Sequence, residues 1–352
     1  MKSLSFFAKY TTQGATSRYR SFAFAFRLLS YNYNFEIQSF LPIDYLDDLF
    51  SKRPKKKWKI ILSYLDRFFS ILRSSNNLII ERELFPFLPY GFEKWFLKRT
   101  QYILDFDDNV WEDYQDKSWL KNKYDKLVLN ASGVIVGNDY LCDYVQNLNS
   151  NVVKIPTVID LEHYQLVEEE KFERFTIVWI GSSITYKYIE AFSELFVSLS
   201  KKIDYDLLIV ASKELENRKI EGVSMRFVDW SSETEISFLK KSHIGIMPLT
   251  DDNFSQGKSA FKLIQYLAAG IPLIGSAVGE NNHVIKEGEN GYLVSTKEEW
   301  MSAIAGLYND KDLIERIAIN CEKDAYDYSI QKYFPLYRDF IDRTFDTAKT
   351  LI

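Results

Sequence analysis

The chain has 352 residues, 46% of them apolar and 26% charged, and a net charge of −5 at neutral pH. Such a composition excludes a disordered polymer, and the length fits two domains of average size. An acidic total argues against a nucleic-acid partner, while two lone cysteines, Cys142 and Cys321, indicate neither a disulfide framework nor a zinc site.

No apolar run reaches spanning length, and the opening stretch turns polar too early for a signal-peptide core, so the expected location is the cytoplasm. In chain order, the runs SLSFFA, FEIQSFL, NLIIE, YILDF, GVIVG and VVKIP have strand length and alternate with helical periods near 17–30, 60–74, 90–99, 117–131 and 138–148. After the charged link LVEEEKFER the pattern restarts with FTIVWIG, YDLLIVA, VSMRFVDW, IGIMPL and PLIGSA. Alternation of this kind predicts an α/β fold of two doubly wound, Rossmann-like domains in series, with ligands beyond the carboxyl ends of the strands in a cleft that the domains face. The expected boundaries are 1–165 for the first domain and 166–330 for the second. The segment 331–352, with Phe334, Tyr337, Phe340, Ile341 and Phe345 on one side, is expected to be a terminal helix that packs back toward the first domain.

The net charge is unevenly placed. Six of the nine residues from Ser51 to Lys59, SKRPKKKWK, are Lys or Arg, and Ile61, Leu65, Phe68, Phe69 and Leu72 follow at helical spacing. A basic, aromatic, amphipathic stretch over 51–72 suits an anionic membrane surface; equally, it suits a solvated charge run ahead of a core-packed helix.

Residues 257–272, GKSAFKLIQYLAAGIP, read as an apolar helix that starts at Gly257 and carries Lys258, Lys262 and Gln265 on one stripe. Free N–H groups at a glycine start, with two ammonium groups and Ser259 beside them, make a site for a diphosphate. The plainer alternative is a solvent-exposed Lys258 and a Gln265 that caps a neighbouring loop.

At this point the sequence resembles a known family. The run from His243 to Val294 is similar to the donor region of bacterial family-4-like glycosyltransferases of the GT-B fold, in particular to a subgroup with GK…FKLIQY-A-G-P in place of the usual pair of glutamates. QGATSRYR, ILDFDDNVWED, GVIVGNDYL, IPTVIDLEHY and VWIGSSITYKYIEAF agree in order along nearly the whole chain.

The resemblance implies a nucleotide-sugar donor held by the second domain, through Gly181, Ser182, Thr185, Gly257, Lys258, Ser259 and Gln265. It implies a lipid-linked or polysaccharide acceptor at the first, near Gly14, Arg18 and Asp108. Asp107, Lys187 and Lys262 take the catalytic roles, transfer retains anomeric configuration, and neither a cofactor nor a metal is expected. The expected setting is bacterial surface glycan assembly, cytoplasmic or peripheral at the inner face of the cell membrane. The chain departs from the family in three places: Gly257 and Gln265 stand at the two glutamates, and Ser182 at an arginine that grips the diphosphate. Those departures leave a non-catalytic nucleotide-sugar-binding or partner subunit as the alternative.

DFDD raises a rival, since Asp105, Asp107 and Asp108 have the chemistry to hold Mg²⁺ beneath a diphosphate; a strand-end turn with Asp108 as a helix cap is the bland reading. Arg18 suits a phosphate or an exposed helix start about equally.

Overall fold

The computed structural model describes residues 2–43, 45–50 and 57–346; of the basic run, Ser51 to Lys56 lies outside the described residues. Two parallel six-stranded sheets, each belonging to its own compact unit, carry the fold. The first contains β1 Lys2–Ala8, β2 Tyr33–Ser39, β3 Asn77–Glu81, β4 Gln101–Phe106, β5 Gly133–Val136 and β6 Val152–Lys154, in the order β2-β1-β3-β4-β5-β6. The second contains β7 Thr176–Ile180, β8 Asp206–Ala211, β9 Met225–Asp229, β10 Ile244–Met247, β11 Leu273–Ser276 and β12 Gly291–Val294, in the order β12-β11-β10-β7-β8-β9. The α/β, doubly wound architecture expected from the sequence is therefore present. The central strands β5, β7 and β8 are buried along their whole length, as helices on both faces require of their Val, Ile and Leu runs.

The sequence reading omits β12. Its four residues, GYLV, follow a turn closed by Gly288 N–H to Gly291 C=O and are buried only at the two ends, and with Gly and Tyr opening the run just Leu293 and Val294 signal a strand. A second difference lies in the division of the chain. The first unit runs through Val158 and also takes in Gly257–Ser259 and everything from Ile330 onward. Tyr164, on the short helix Leu161–Gln165, packs into the core of the second unit, so the boundary falls before that helix instead of at the charged link after it.

The terminal helix Ile330–Asp346 buries Phe334, Tyr337, Phe340, Ile341 and Phe345 against Leu4, Phe6, Ile79, Ile103 and Ile135 of the first sheet. Tyr337 stacks on Phe24 with ring centroids 4.2 Å apart, and Phe340 reaches so near Gly133 that a Cβ there would lie 2.8 Å from its ring.

Both sheets reverse their strand order, between β1 and β3 in the first and between β7 and β10 in the second. β7 and β10 pair only through Ile177 with Ile244 and Val178 with Gly245, then splay. Tyr266 fills the opening: its hydroxyl accepts from Ile180 N–H and donates to Ile246 C=O, each at 3.2 Å, groups that would otherwise be buried without partners. Gly245 makes room for the ring, because a Cβ there would lie 2.3 Å from Tyr266 Cγ. Tyr266→Phe keeps the shape and removes both bonds; in chemical denaturation it should lower stability by roughly 1–3 kcal/mol, the cost of buried backbone groups left unpaired.

Candidate active site

In an open parallel sheet the strand-order reversal leaves a crevice at the carboxyl ends, where the loops diverge to opposite faces. In the second unit those loops are 181–187, after β7, and 248–260, after β10.

The first begins at Gly181, where a Cβ would meet the Trp179 ring at 2.4 Å and Thr185 Oγ1 at 3.0 Å. Thr185 closes the turn: its hydroxyl accepts from Ser182 N–H at 3.2 Å and donates to Ser182 C=O at 3.1 Å. Lys187 opens the short helix Lys187–Ala191, its ammonium over the rings of Tyr188 at 5.0 Å and Phe254 at 5.7 Å. Across the same loops, the Tyr188 hydroxyl and Ser255 Oγ lie 3.0 Å apart. Asp252 accepts from Thr250 Oγ1 and from Ser255 N–H; these hydrogen bonds, with Lys187 adding, hold its carboxyl below the usual range against a partial desolvation.

The helix of the GKSAFKLIQY run starts at Phe261, not at Gly257. Ala260 takes a left-handed conformation, φ 51°, which interrupts helical hydrogen bonding between 257 and 261. The predicted stripe is corrected accordingly: Lys258 and Ser259 lie in an irregular link before the helix, while Lys262 and Gln265 stay three apart on the helix Phe261–Ala268. Lys262 Nζ sits 5.7 Å from the centre of the Trp179 ring, and Gln265 is buried. Trp179 thus connects the parts, in contact range of the Gly181 turn, of Tyr186 and of the Lys262 ammonium. Sequence reasoning missed Trp179, which looks like one more apolar residue of a buried strand.

Gly257, Lys258 and Ser259 group with the first unit. There Gly257 packs on Asn109, with 2.6 Å from a would-be Cβ to Asn109 Cβ, and its carbonyl accepts from Asn138 Nδ2 at 3.3 Å.

The first unit gathers its charged groups at the β1/β3 reversal. Gly14 lies in the loop after β1, where a Cβ would meet Tyr10 at 2.4 Å, and its carbonyl accepts from Arg18 N–H. The Arg18 guanidinium lies over the Tyr19 ring and donates to its hydroxyl. Ser17 and Ser21 both donate to Glu81, whose carboxyl burial still pushes up. Arg20 is buried, with Nε donating to Asp105 Oδ1 at 2.6 Å and Nη1 to Ile155 C=O at 2.9 Å. Arg82, held at φ 65°, donates to Asp108 Oδ2 at 2.8 Å and lies 3.8 Å from Asp107 Oδ1. Burial lowers the Lys9 ammonium to about 8, with Arg82 adding to the shift.

The three aspartates of DFDD therefore face different ways: Asp105 toward Arg20, Asp108 toward Arg82, and Asp107 toward Thr157, whose Oγ1 donates to Oδ2 at 2.8 Å. Among the described residues no group of three or more His, Cys, Asp or Glu side chains is arranged to hold a metal ion. The two flanking carboxylates, Asp105 and Asp108, are each engaged by a guanidinium. Asp107 Oδ1 and Asn109 Oδ1 are both buried and accept no hydrogen bond. Gly137 crowds the backbone of Asp107, with a would-be Cβ 2.9 Å from its Cα.

Comparison with known proteins follows the same division. Residues 174–310 match the family model described as glycosyl transferases group 1. No curated protein matches the chain in sequence. Among solved structures, a sucrose-phosphate synthase from Thermosynechococcus elongatus is similar at TM-score 0.73 and 14% identity, over 99% of this chain and 100% of that one. A glycosyltransferase from Rickettsia africae gives 0.66 and 14%, over 98% of each chain. Anabaena HepE, solved in complex with UDP, gives 0.63 and 12%, over 97% and 100%. At these identities the likeness is one of fold, and that fold is GT-B.

Burial, with Asp108 adding, raises the Asp107 carboxyl to about 6, while Arg20, Arg82 and the Thr157 hydroxyl oppose the shift. A ¹³C carboxyl titration should place its midpoint near 6 and lose that signal in Asp107→Asn; Thr157→Val, which removes a bond to the ionised form, should move the midpoint upward.

Proposed function

We propose that this chain is a glycosyltransferase, a reading supported by the group 1 match over residues 174–310 and by the GT-B fold, and that it moves a sugar from a nucleotide-sugar donor to a lipid-linked or polysaccharide acceptor in the assembly of a bacterial surface glycan. Transfer retains anomeric configuration and uses no metal. The enzyme works on the cytoplasmic side, peripheral to the cell membrane, with an anionic surface meeting residues 51–72.

The observation that carries the donor half is the set of groups at the β7/β10 reversal. Lys262 over Trp179, the Gly181 turn packed on the same ring, and Lys187 at the end of that turn belong to one continuous patch of the second unit. Support for a nucleotide comes from the family match over this unit and from relatives of the same fold solved with UDP.

When the bond from the anomeric carbon to the phosphate oxygen breaks, that oxygen takes the electron pair and the sugar becomes oxocarbenium-like. Lys187 and Lys262 neutralise the departing diphosphate. Gln265 offers an amide to the ribose diol, a neutral partner where a carboxylate would accept more strongly.

On the acceptor side, Gly14 and Arg18 bound the loop after β1, and Asp108 keeps Arg82 in place. Asp107, with one buried oxygen that accepts no hydrogen bond, orients the attacking hydroxyl or faces the positive charge that develops on the sugar. The hydroxyl oxygen forms the new bond to the anomeric carbon and its proton leaves to the departing phosphate.

Lys187→Ala and Lys262→Ala should each lower turnover at least about a hundredfold, the scale of losing one preorganised electrostatic stabiliser; release of nucleoside diphosphate from a panel of UDP-, GDP- and dTDP-sugars measures it. Wild-type turnover in both variants would refute the assignment. Incubation with EDTA should leave the rate unchanged, and a loss restored by Mg²⁺ would reinstate a metal.

A further inference from the structure

The helix Lys57–Arg73 is apolar on both sides. Toward the protein it buries Ser63, Arg67 and Ile71 and packs Tyr64 and Phe68 on the core; toward solvent it presents Trp58, Ile61, Leu62, Leu65, Phe69 and Leu72, each with 49–61% of its surface exposed. The helix is held in this rotation by Arg67, fully buried, whose Nη2 donates to Ala8 C=O at 2.6 Å and whose guanidinium lies over the rings of Phe7 and Phe40. With Arg67 held inside, the opposite, apolar stripe has to face out.

The neighbouring helix Tyr90–Leu97 extends the same surface. Ring contacts run without a break from Phe69 to Phe68 at 5.6 Å, to Phe96 at 5.5 Å and to Trp95 at 4.7 Å, and Phe92 joins Phe96 at 5.6 Å. Trp95 is 64% exposed and Phe92 40%. Around these rings the exposed charges are mostly basic: Lys57, Arg73, Lys94, Lys98 and Arg99, against Asp66. From Leu49 to Ile80 Asp66 is the sole acidic residue, and the run Lys52 to Lys59 adds cations at the start of the helix.

We propose that this face is a membrane-insertion surface, on which the exposed rings and aliphatic side chains of the two helices enter the headgroup boundary of an anionic bilayer while the surrounding Lys and Arg meet its phosphates. The inference deepens the membrane partnership in the proposed function and rests on it. Charge decides the occupant. A second copy of the chain would bring one basic rim against another, whereas an anionic lipid surface neutralises the cations and accepts the apolar residues together. Among the described residues no helix is long and apolar enough to cross a membrane, so attachment of this kind is interfacial.

Flotation of the full chain with vesicles tests the proposal. It should float with mixed phosphatidylglycerol and phosphatidylcholine, stay at the bottom with phosphatidylcholine alone, and come off the mixed vesicles in high salt. The triple variant Leu65→Gln, Phe69→Gln, Trp95→Gln, altered only at exposed positions, should float at least about tenfold less with an unchanged melting temperature. The proposal is overturned if the wild type ignores anionic vesicles, if the triple variant floats as well as the wild type, or if the wild type instead forms a dimer that the variant abolishes. A rise in melting temperature induced by UDP, GDP or dTDP, measured on the same samples, reports the donor site alone. Its absence with all three would tell against the glycosyl-transfer reading and leave the membrane result standing.

Discussion

What the first unit depends on is the pairing of buried guanidinium groups with the oxygens that a parallel sheet leaves at its carboxyl edge. Strands that all end on one side present carbonyls there, along with whatever side chains follow, and helices on both faces shut out water. Arg20 joins Asp105 to the carbonyl of Ile155 after β6, and Arg67 takes the carbonyl of Ala8 at the end of β1. A guanidinium suits the task because its planar fork donates in several directions at once and stays charged when buried beside carboxylates. Take away either partner and an uncompensated charge remains inside.

The second unit solves the same problem with neutral groups. Tyr266 spans the splayed strands β7 and β10. The exposed Lys187 and the half-buried Lys262 stand on helices that follow these strands. In the first unit structure and chemistry overlap, because Arg20 and Arg82, which stabilise the edge, also set the field around Asp107. A charge placed for folding there is also a charge felt by Asp107.

Much of the fold was legible in the sequence, and for physical reasons. Buried parallel strands such as β5 and β8 are short runs of Val, Ile and Leu, and apolar runs of strand length marked eleven of the twelve strands among the described residues; β12 escaped because its apolar signal is only Leu293 and Val294 after Gly and Tyr. The terminal helix declared itself through five apolar residues at helical spacing, all of which are buried. Less legible were features that depend on a single backbone angle or on which way a helix turns. Nothing in SAFK announces that Ala260 is left-handed, so the helix was begun four residues early. The stripe on the 57–73 helix was visible, yet its outward direction was not, because periodicity reveals that a helix has two faces and not which one the fold retains. Trp179 was invisible as a site residue since its strand looks uniformly apolar.

The order in which the chain supplies its parts has one more consequence. The sheet of the first unit is complete by Lys154, but the helix that covers Leu4, Phe6, Ile79 and Ile103 begins only at Ile330, after the whole second unit has been made. On a ribosome, then, the second unit has all its residues available and can fold on its own, while the first waits with an apolar face uncovered until the final helix emerges. That interval is when the nascent chain is most exposed to aggregation, and a chaperone acting on this protein would find its binding surface there.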